Sequence, residues 1–182
     1  MKEPVLTAPK ESSLKMKVST AKENVKSDFK FHPDTKEELL KLCRDESVYL
    51  GDIDTSKITD MSCLFEGDFI RYSRDFSGIE SWNVSNVTDM SYMFSNSSFN
   101  RDISSWDVSN VKDMSGMFAG SSFNMDIYSW NVSNVNNMNC MFNGSSFKKN
   151  ISSWDVSNVK DMREMFSDSS NKSYKILLRK IH

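Results

Sequence analysis

The spacing of hydrophobic positions changes halfway through residues 102–124. Trp106 and Val108 alternate with polar residues, which is the period of a strand with one buried face. From Val111 onward the apolar residues recur at intervals of three and four, which indicates a short helix or 3₁₀ turn. The pattern therefore predicts a strand, a turn, a short helix and a loop within one segment.

This segment recurs with a period of 24 residues, and a fixed period indicates a repeat architecture. The runs SWNVSNVTDMSYMF, SWDVSNVKDMSGMF, SWNVSNVNNMNCMF and SWDVSNVKDMREMF begin at residues 81, 105, 129 and 153. A looser copy at residues 53–65 precedes them, with five extra residues in between. Stacked copies would place equivalent aromatic residues in a buried core ladder: Trp82, Trp106, Trp130, Trp154, Phe94, Phe118, Phe142 and Phe166.

The predicted body is a repeat solenoid of about five coils over residues 51–170, with parallel strands in a ladder. Each predicted helix is preceded by an asparagine, whose side-chain oxygen can accept a hydrogen bond from a first-turn amide. We therefore expect four asparagines to cap these helices: Asn86, Asn110, Asn134 and Asn158.

The two ends of the chain differ from the repeats. Residues 1–28 are polar and predict a disordered tail. Residues 29–50 predict an N-terminal cap, with a helix at about 35–44, begun by a capping box at Thr35 and Glu38, and a short strand after it. Residues 171–182 predict a basic tail or a partial cap, and an open edge there would favour self-association.

The repeated run, with its hallmark W-D-V-S-N-V-T-D-M-S-x-M-F, resembles the BspA-like group of bacterial surface-protein repeats. The resemblance covers residues 31–170, and four copies match it nearly letter for letter. It implies an α/β solenoid of the leucine-rich-repeat type. It also implies a surface protein or lipoprotein that mediates adhesion or binds other proteins.

Charge and hydropathy narrow the choice of partners. The net charge of −2 is unevenly spread: residues 48–170 carry 9 basic and 16 acidic groups, and residues 171–182 carry four basic and no acidic ones. An acidic body argues against nucleic acid, because phosphate contacts need a basic surface. We also expect no membrane insertion, because no apolar stretch is long enough. The N-terminus has no signal-like apolar run, which predicts a cytoplasmic location by default, whereas the resemblance suggests the cell surface.

Residues for catalysis are scarce. Neither of the two histidines, His32 beside a proline and His182 at the end, has a nearby acid and nucleophile in the sequence arrangement of a catalytic site, and no hydrolase, phosphate-binding or zinc motif occurs. Three cysteines without motif spacing predict free thiols. Aspartates recur at one position of the repeat, but Asn137 interrupts the series, so a calcium site is not expected. We predict a non-enzyme with no catalytic residue, metal or cofactor.

The candidate protein-binding surface is the outward face of the predicted strands. Its residues vary between copies while the core positions stay constant, and solenoids bind partners through such extended faces. The residues are Asn83, Asp107, Asn131 and Asp155, with Ser105 and Tyr128 beside them. We expect an unidentified protein partner, either a host or a cell-surface protein. The alternative is a truncated or single-array structural relative with no specific ligand.

Overall fold

The computed structural model describes residues 28–67 and 74–169 of the 182-residue chain. Five coils stack in chain order: coil 1 (50–67), coil 2 (79–99), coil 3 (103–123), coil 4 (127–147) and coil 5 (151–169). Each coil meets the next at one isolated parallel bridge, formed in succession by Asp60, Asp89, Asp113, Asn137 and Asp161. One repeat of the sequence therefore forms one coil, and the five extra residues fall between coils 1 and 2.

One α-helix lies before the coils. Helix α1 spans Lys36–Arg44, where the sequence predicts it. The Thr35 hydroxyl accepts a hydrogen bond from the Glu38 amide (3.2 Å), and the Glu38 carboxylate accepts one from the Asp34 amide (2.8 Å). The helix buries Leu39 and Cys43 against the core.

The predicted parallel strand ladder is wrong. The described residues contain no sheet, and their only bridges are isolated. The segment 106–108 of coil 3 and its equivalents in the other coils form no bridge to a neighbouring coil. The predicted alternation of buried and exposed side chains is nevertheless present, because Trp106 and Val108 are buried and Asp107 is exposed. Three residues separate the turn at 104–105 from the turn at 109–110, and they form no bridge to another coil. The expected cap strand at residues 47–50 is also absent, and a 3₁₀ turn, Leu50–Asp52, stands at its end.

The predicted helix in each coil is also wrong. Turns occupy its place, and residues in left-handed conformation interrupt them, such as Tyr92 (φ 55°) and Asn96 (φ 51°) in coil 2. The apolar spacing of three and four is met by turns that each close on the carbonyl three residues back, as from Met93 N to Met90 O (3.3 Å). We call residues 61–67, 90–96, 114–120, 138–144 and 162–168 the turn segments.

Aromatic columns run through the centre of the stack. Rings of one column lie 5.4–5.8 Å apart and belong to Phe65, Phe94, Phe118, Phe142 and Phe166. A second column has spacings of 5.8 and 6.0 Å and belongs to Phe99, Phe123 and Phe147. All four tryptophans are at most 4% exposed, and Phe166 is the one half-buried residue of the expected ladder. These stacked, buried aromatic rings add to the apolar area that stabilises the fold, together with the buried Val, Ile, Leu and Met side chains.

Each indole also ties its coil to the one before. The Nε1–H groups of Trp82, Trp106, Trp130 and Trp154 donate to the carbonyls of Leu50, Ile79, Ile103 and Ile127 at 2.9–3.2 Å. Each of these carbonyls also accepts a backbone amide of its own coil, as Ile79 does from Trp82 (3.1 Å), so the indole adds a second hydrogen bond that joins two coils. The tryptophan is therefore both a core residue and a connector.

Two expectations about the chain ends fall on residues that the structure does not describe. The tail predicted at 1–28 lies outside the described residues except for Asp28, and the tail or partial cap at 171–182 lies wholly outside them. Within the described residues, no helix is long and apolar enough to cross a membrane.

Candidate protein-binding surface

The predicted surface residues form a row along the stack, one from each of coils 2–5. Asn83, Asp107, Asn131 and Asp155 are all exposed, and we call them the Asx row. Each Oδ1 atom accepts a hydrogen bond from the amide of the serine two residues later, at 3.1–3.2 Å. This is an Asx turn, which fixes both the backbone corner and the side-chain rotamer. The side chains of the row are therefore exposed to solvent and are also held in fixed conformations.

The asparagines expected to cap helices hold this row in register. With no helix to cap, their Nδ2 groups donate to carbonyls of the preceding coil. The four bonds measure 2.7–2.8 Å and run from Asn86 to Ser56, Asn110 to Ser85, Asn134 to Ser109 and Asn158 to Ser133. In each case the acceptor is the backbone carbonyl of the serine that closes an Asx turn. Each of these turns is therefore bonded to an asparagine side chain of the next coil.

Asp107 keeps its negative charge at neutral pH. Hydrogen bonds from the Ser109 hydroxyl and amide hold the pKa of Asp107 below its usual range. The Asx turn uses Oδ1 of Asp107, so its Oδ2 can accept a hydrogen bond from a partner. Asp107 can thus offer a fixed acceptor to a donor on another protein, whereas the Oδ1 atoms of Asn83 and Asn131 already accept two hydrogen bonds each and their Nδ2 groups are donors.

The two flanking residues also reach solvent. Ser105 is exposed, and the Tyr128 side chain is 61% exposed, the largest exposed fraction among the described large hydrophobic residues. The Tyr128 backbone is fixed: its amide donates to Asp126 Oδ1 (3.0 Å), and its carbonyl accepts from the Ser153 hydroxyl (2.8 Å). An exposed aromatic side chain on a rigid backbone is a typical anchor in protein interfaces.

Groups for catalysis are not assembled in the described part of the chain. Burial is the main cause that raises the pKa of the Cys43 thiol to about 12 and that of Cys63 to about 11, so neither is an activated nucleophile. His32 contacts Asp54 (3.3 Å) at the surface. Among the described residues, no group of three or more His, Cys, Asp or Glu side chains could hold a metal ion.

Sequence reasoning missed two further Asx rows. One precedes the tryptophans, where Asp102 bonds Ser104 and Asp126 bonds Tyr128, at 2.9 and 3.0 Å. The other contains the bridge residues, as in Asp89 with Ser91 (2.8 Å). The signal was present in the sequence, because most coils repeat Asp or Asn followed by Ser two residues later.

The stacked coils and the Asx row define a repeat protein whose exposed positions recur once per coil. The family model described as "Mycoplasma protein of unknown function, DUF285" matches residues 37–118 and 69–177. The second match alone spans more than half of the chain, and the chain belongs to this family. No curated protein and no solved structure matches the chain.

Proposed function

We propose that this protein is a non-catalytic repeat scaffold that binds another protein through the Asx row together with Ser105 and Tyr128. The observation that carries the proposal is the row itself: four exposed Asx side chains, in register and fixed by Asx turns. A preorganised surface loses little side-chain entropy on binding, which favours affinity. A scaffold role fits stacked repeats in general, because they present extended surfaces on which a partner can bind.

The partner that fits this surface is a protein with hydrogen-bond donors opposite the two aspartates of the row. Asp107 and Asp155 add negative charge to an acidic repeat body, so Lys, Arg or backbone N–H donors are favoured. Tyr128 adds an apolar and hydrogen-bonding contact in coil 4, three residues before Asn131 of the Asx row. Nucleic acid is disfavoured for the same electrostatic reason.

The experiment removes the charges without removing the turns. In Asp107→Asn/Asp155→Asn, the new amide oxygens can still close the Asx turns, and Tyr128→Ser introduces the residue that coils 3 and 5 already carry. Proteins captured from host-cell and bacterial extracts are identified, purified and titrated against wild type and the triple variant. The matched control is Asp89→Asn/Asp113→Asn, which removes two charges from the bridge residues instead.

The proposal expects the triple variant to bind the purified partner about tenfold or more weakly, with an unchanged melting temperature. The control should bind like wild type. An equal loss of affinity in the triple variant and in the control would indicate a non-specific charge effect and would reject the Asx row as the site. If no purified candidate binds wild type, the structural role without a specific ligand takes its place.

We extend the proposal to location on the basis of the resemblance to BspA-like surface repeats. On that resemblance, the partner is met at the cell surface. Fractionation of the native cells tests this, with a cytosolic enzyme as marker. Recovery of the protein in the cytosolic fraction alone would contradict it.

A further inference from the structure

Tyr49 has an exposed ring that nevertheless lies against two coils. The residue is 52% exposed. A Cβ added to Gly51 of coil 1 would lie 2.5 Å from its Cε1 atom, and one added to Gly78, just before coil 2, would lie 2.8 Å from its Cζ atom. Gly78 also has a φ of 90°, which glycine adopts far more readily than other residues. Both backbones therefore lack a side chain where the ring lies, while the rest of the ring remains open to solvent.

The Tyr49 ring lies at the start of a line of equivalent positions on coils 1–4. The four carbonyls that accept the indole bonds are equivalent in successive coils, so the residues that follow them are aligned as well. The aligned residues are Gly51, Glu80, Ser104 and Tyr128. Because the Tyr49 ring lies over Gly51, the line has an aromatic ring at each end and polar residues between them. We call Tyr49, Glu80, Ser104 and Tyr128 the tyrosine column.

The length of the tyrosine column matches a short extended peptide. Coils that are joined by parallel bridges are spaced by about 4.8 Å, so the three steps from Gly51 to Tyr128 cover about 14 Å. An extended chain advances about 3.4 Å per residue and spans this distance in about four residues. Its side chains at alternate positions share one face. The first and fifth side chains would thus meet the two tyrosines, and the third would lie between Glu80 and Ser104.

Acidic groups surround the middle of the tyrosine column. Glu80 belongs to it, and Asp102 lies two positions before Ser104, whose amide donates to its carboxylate (2.9 Å). Hydrogen bonds from the Ser104 amide and hydroxyl hold the pKa of Asp102 below its usual range, so this group is charged at neutral pH. The neighbouring Arg101 contacts Asp75 instead (3.4 Å). A positively charged side chain is therefore the complement to the middle of the column.

We propose that the tyrosine column binds an extended segment of the partner protein, with apolar side chains at its first and fifth residues and Lys or Arg at its third. This assignment rests on the proposed scaffold function, because the segment belongs to the same partner. The tyrosine rings supply apolar area and faces that attract a cation, and Glu80 supplies the opposite charge. A helical segment fits less well, since residues four apart on a helix are separated by only about 6 Å along its axis.

The probe that tests this site is the synthetic peptide SFSRSFS, which has the expected spacing and charge. It is titrated into the isotope-labelled full chain, and the amide chemical shifts of Gly51, Glu80, Ser104 and Tyr128 measure its affinity. Two peptides are controls: SFSESFS reverses the charge, and SFRFSSS brings the phenylalanines two residues apart. We expect both controls to bind about fivefold or more weakly than SFSRSFS.

Two variants of the chain locate the binding. Tyr49→Ser removes the ring and leaves both glycines in place, and Glu80→Gln removes only the charge. We expect each to lose about fivefold or more in affinity for SFSRSFS, and Glu80→Gln to keep the wild-type melting temperature. The matched control is Tyr92→Asn, which removes a 39% exposed tyrosine from the turn segment of coil 2 and introduces a residue that tolerates its φ of 55°. This control should bind the peptide like wild type.

Four results would overturn the assignment. Absence of shifts at these amides with peptide up to about 5 mM would show that the column is not a peptide site. Equal affinity of wild type and both variants would reject Tyr49 and Glu80, and equal affinity for SFSRSFS and SFSESFS would reject a basic segment. The same shifts on concentrating the chain without peptide would assign the column to a second copy. The Asx-row experiment changes neither Tyr49 nor Glu80, so its failure and the failure of peptide binding are distinguishable.

Discussion

At the scale of single residues, the choice between aspartate and asparagine follows what the neighbouring coil offers. The bridge residues stack directly on one another, and four of the five are aspartates. Lys36 contacts the Asp60 carboxylate at one end, and Arg163 contacts Asp161 at the other, at 2.9 and 2.7 Å. Between them the Nδ2 group of Asn137 donates to Asp113 Oδ2 (3.0 Å). One amide in the column thus separates like charges that would repel.

We therefore predict that Asn137→Asp destabilises the fold by about 1–2 kcal/mol at pH 7, because a donor is lost and a third adjacent carboxylate is added. The loss should shrink toward pH 3, where the new carboxyl is protonated. Urea unfolding at the two pH values measures it. Asp89→Asn is the control and should be close to neutral, since it removes a charge from the column, keeps an Asx side chain and leaves the bond from Asn137 to Asp113 in place. A larger loss for the control than for Asn137→Asp would contradict this account.

Gly116 shows a second residue-scale constraint. It is left-handed (φ 60°), and an added Cβ would collide with the Tyr92 ring of the preceding coil. Gly144 has the same φ of 60° but no atom within 4 Å of such a Cβ. Comparing alanine substitutions at the two glycines separates backbone strain from steric overlap. Both substitutions introduce the strain of a left-handed residue, and only that at Gly116 also introduces a steric overlap.

We predict that Gly116→Ala costs about 1–3 kcal/mol more than Gly144→Ala in the free energy of unfolding. Thermal and urea melts of the two variants measure the difference. Adding Tyr92→Ala to Gly116→Ala should recover most of it, which a double-mutant cycle detects. Equal costs for the two glycines would show that the ring moves aside freely.

At the scale of the coil, the sequence predicted the period, the core and the N-terminal helix but not the local backbone. Trp106, Val108 and Val111 were placed correctly in the core, because burial depends on apolar pattern alone. The predicted strands were wrong because the backbone bonds between coils form mainly at the turn segments, and the predicted helices were wrong because alternate amides there bond the next coil instead of a carbonyl four residues back. The warning was Gly116 and Gly120, since two glycines within one short predicted helix disfavour it.

The candidate surface was predictable for a related reason. Asp107 was correctly expected to be exposed, because the alternation with Trp106 and Val108 needs no strand. Its Asx turn was missed, since alternation says nothing of the bond from Ser109. Asn110 was interpreted as a helix cap, whereas it bonds a carbonyl of another coil. Contacts between residues about 25 positions apart are invisible to local pattern reasoning.

The coil's central connector gives a prediction at this scale. In Trp106→Phe the ring loses area, and the buried Ile79 carbonyl loses its indole donor (3.2 Å). We expect a loss of about 2–4 kcal/mol in the free energy of unfolding. Tyr128→Ser, on the exposed side of the next coil, should stay within about 0.5 kcal/mol. A cost for Trp106→Phe as small as that of Tyr128→Ser would show that the indole does not connect the coils.

At the scale of the whole molecule, Asx turns repeat along the entire stack and make its stability depend on acid. Hydrogen bonds from serine hydroxyls and amides are the main cause that lowers the pKa values of Asp75, Asp102 and Asp107 in the fold. A carboxyl whose pKa is lower when folded binds fewer protons than its unfolded counterpart. Its contribution is therefore complete above the unfolded value of about 4, and it is lost as pH falls through the folded-state pKa.

We predict that the free energy of unfolding is constant from pH 7 to about pH 5 and decreases below about pH 4. Relief of repulsion within the acidic body acts in the opposite direction, so the sign of the change decides which effect dominates. The variant Asp102→Asn/Asp107→Asn keeps two turn acceptors that cannot titrate, and its decrease should be shallower. Urea unfolding at pH 7, 5 and 3 compares the two chains. Wild-type stability that rises toward pH 3, or equal slopes in both chains, would mean that the Asx turns do not control the acid response.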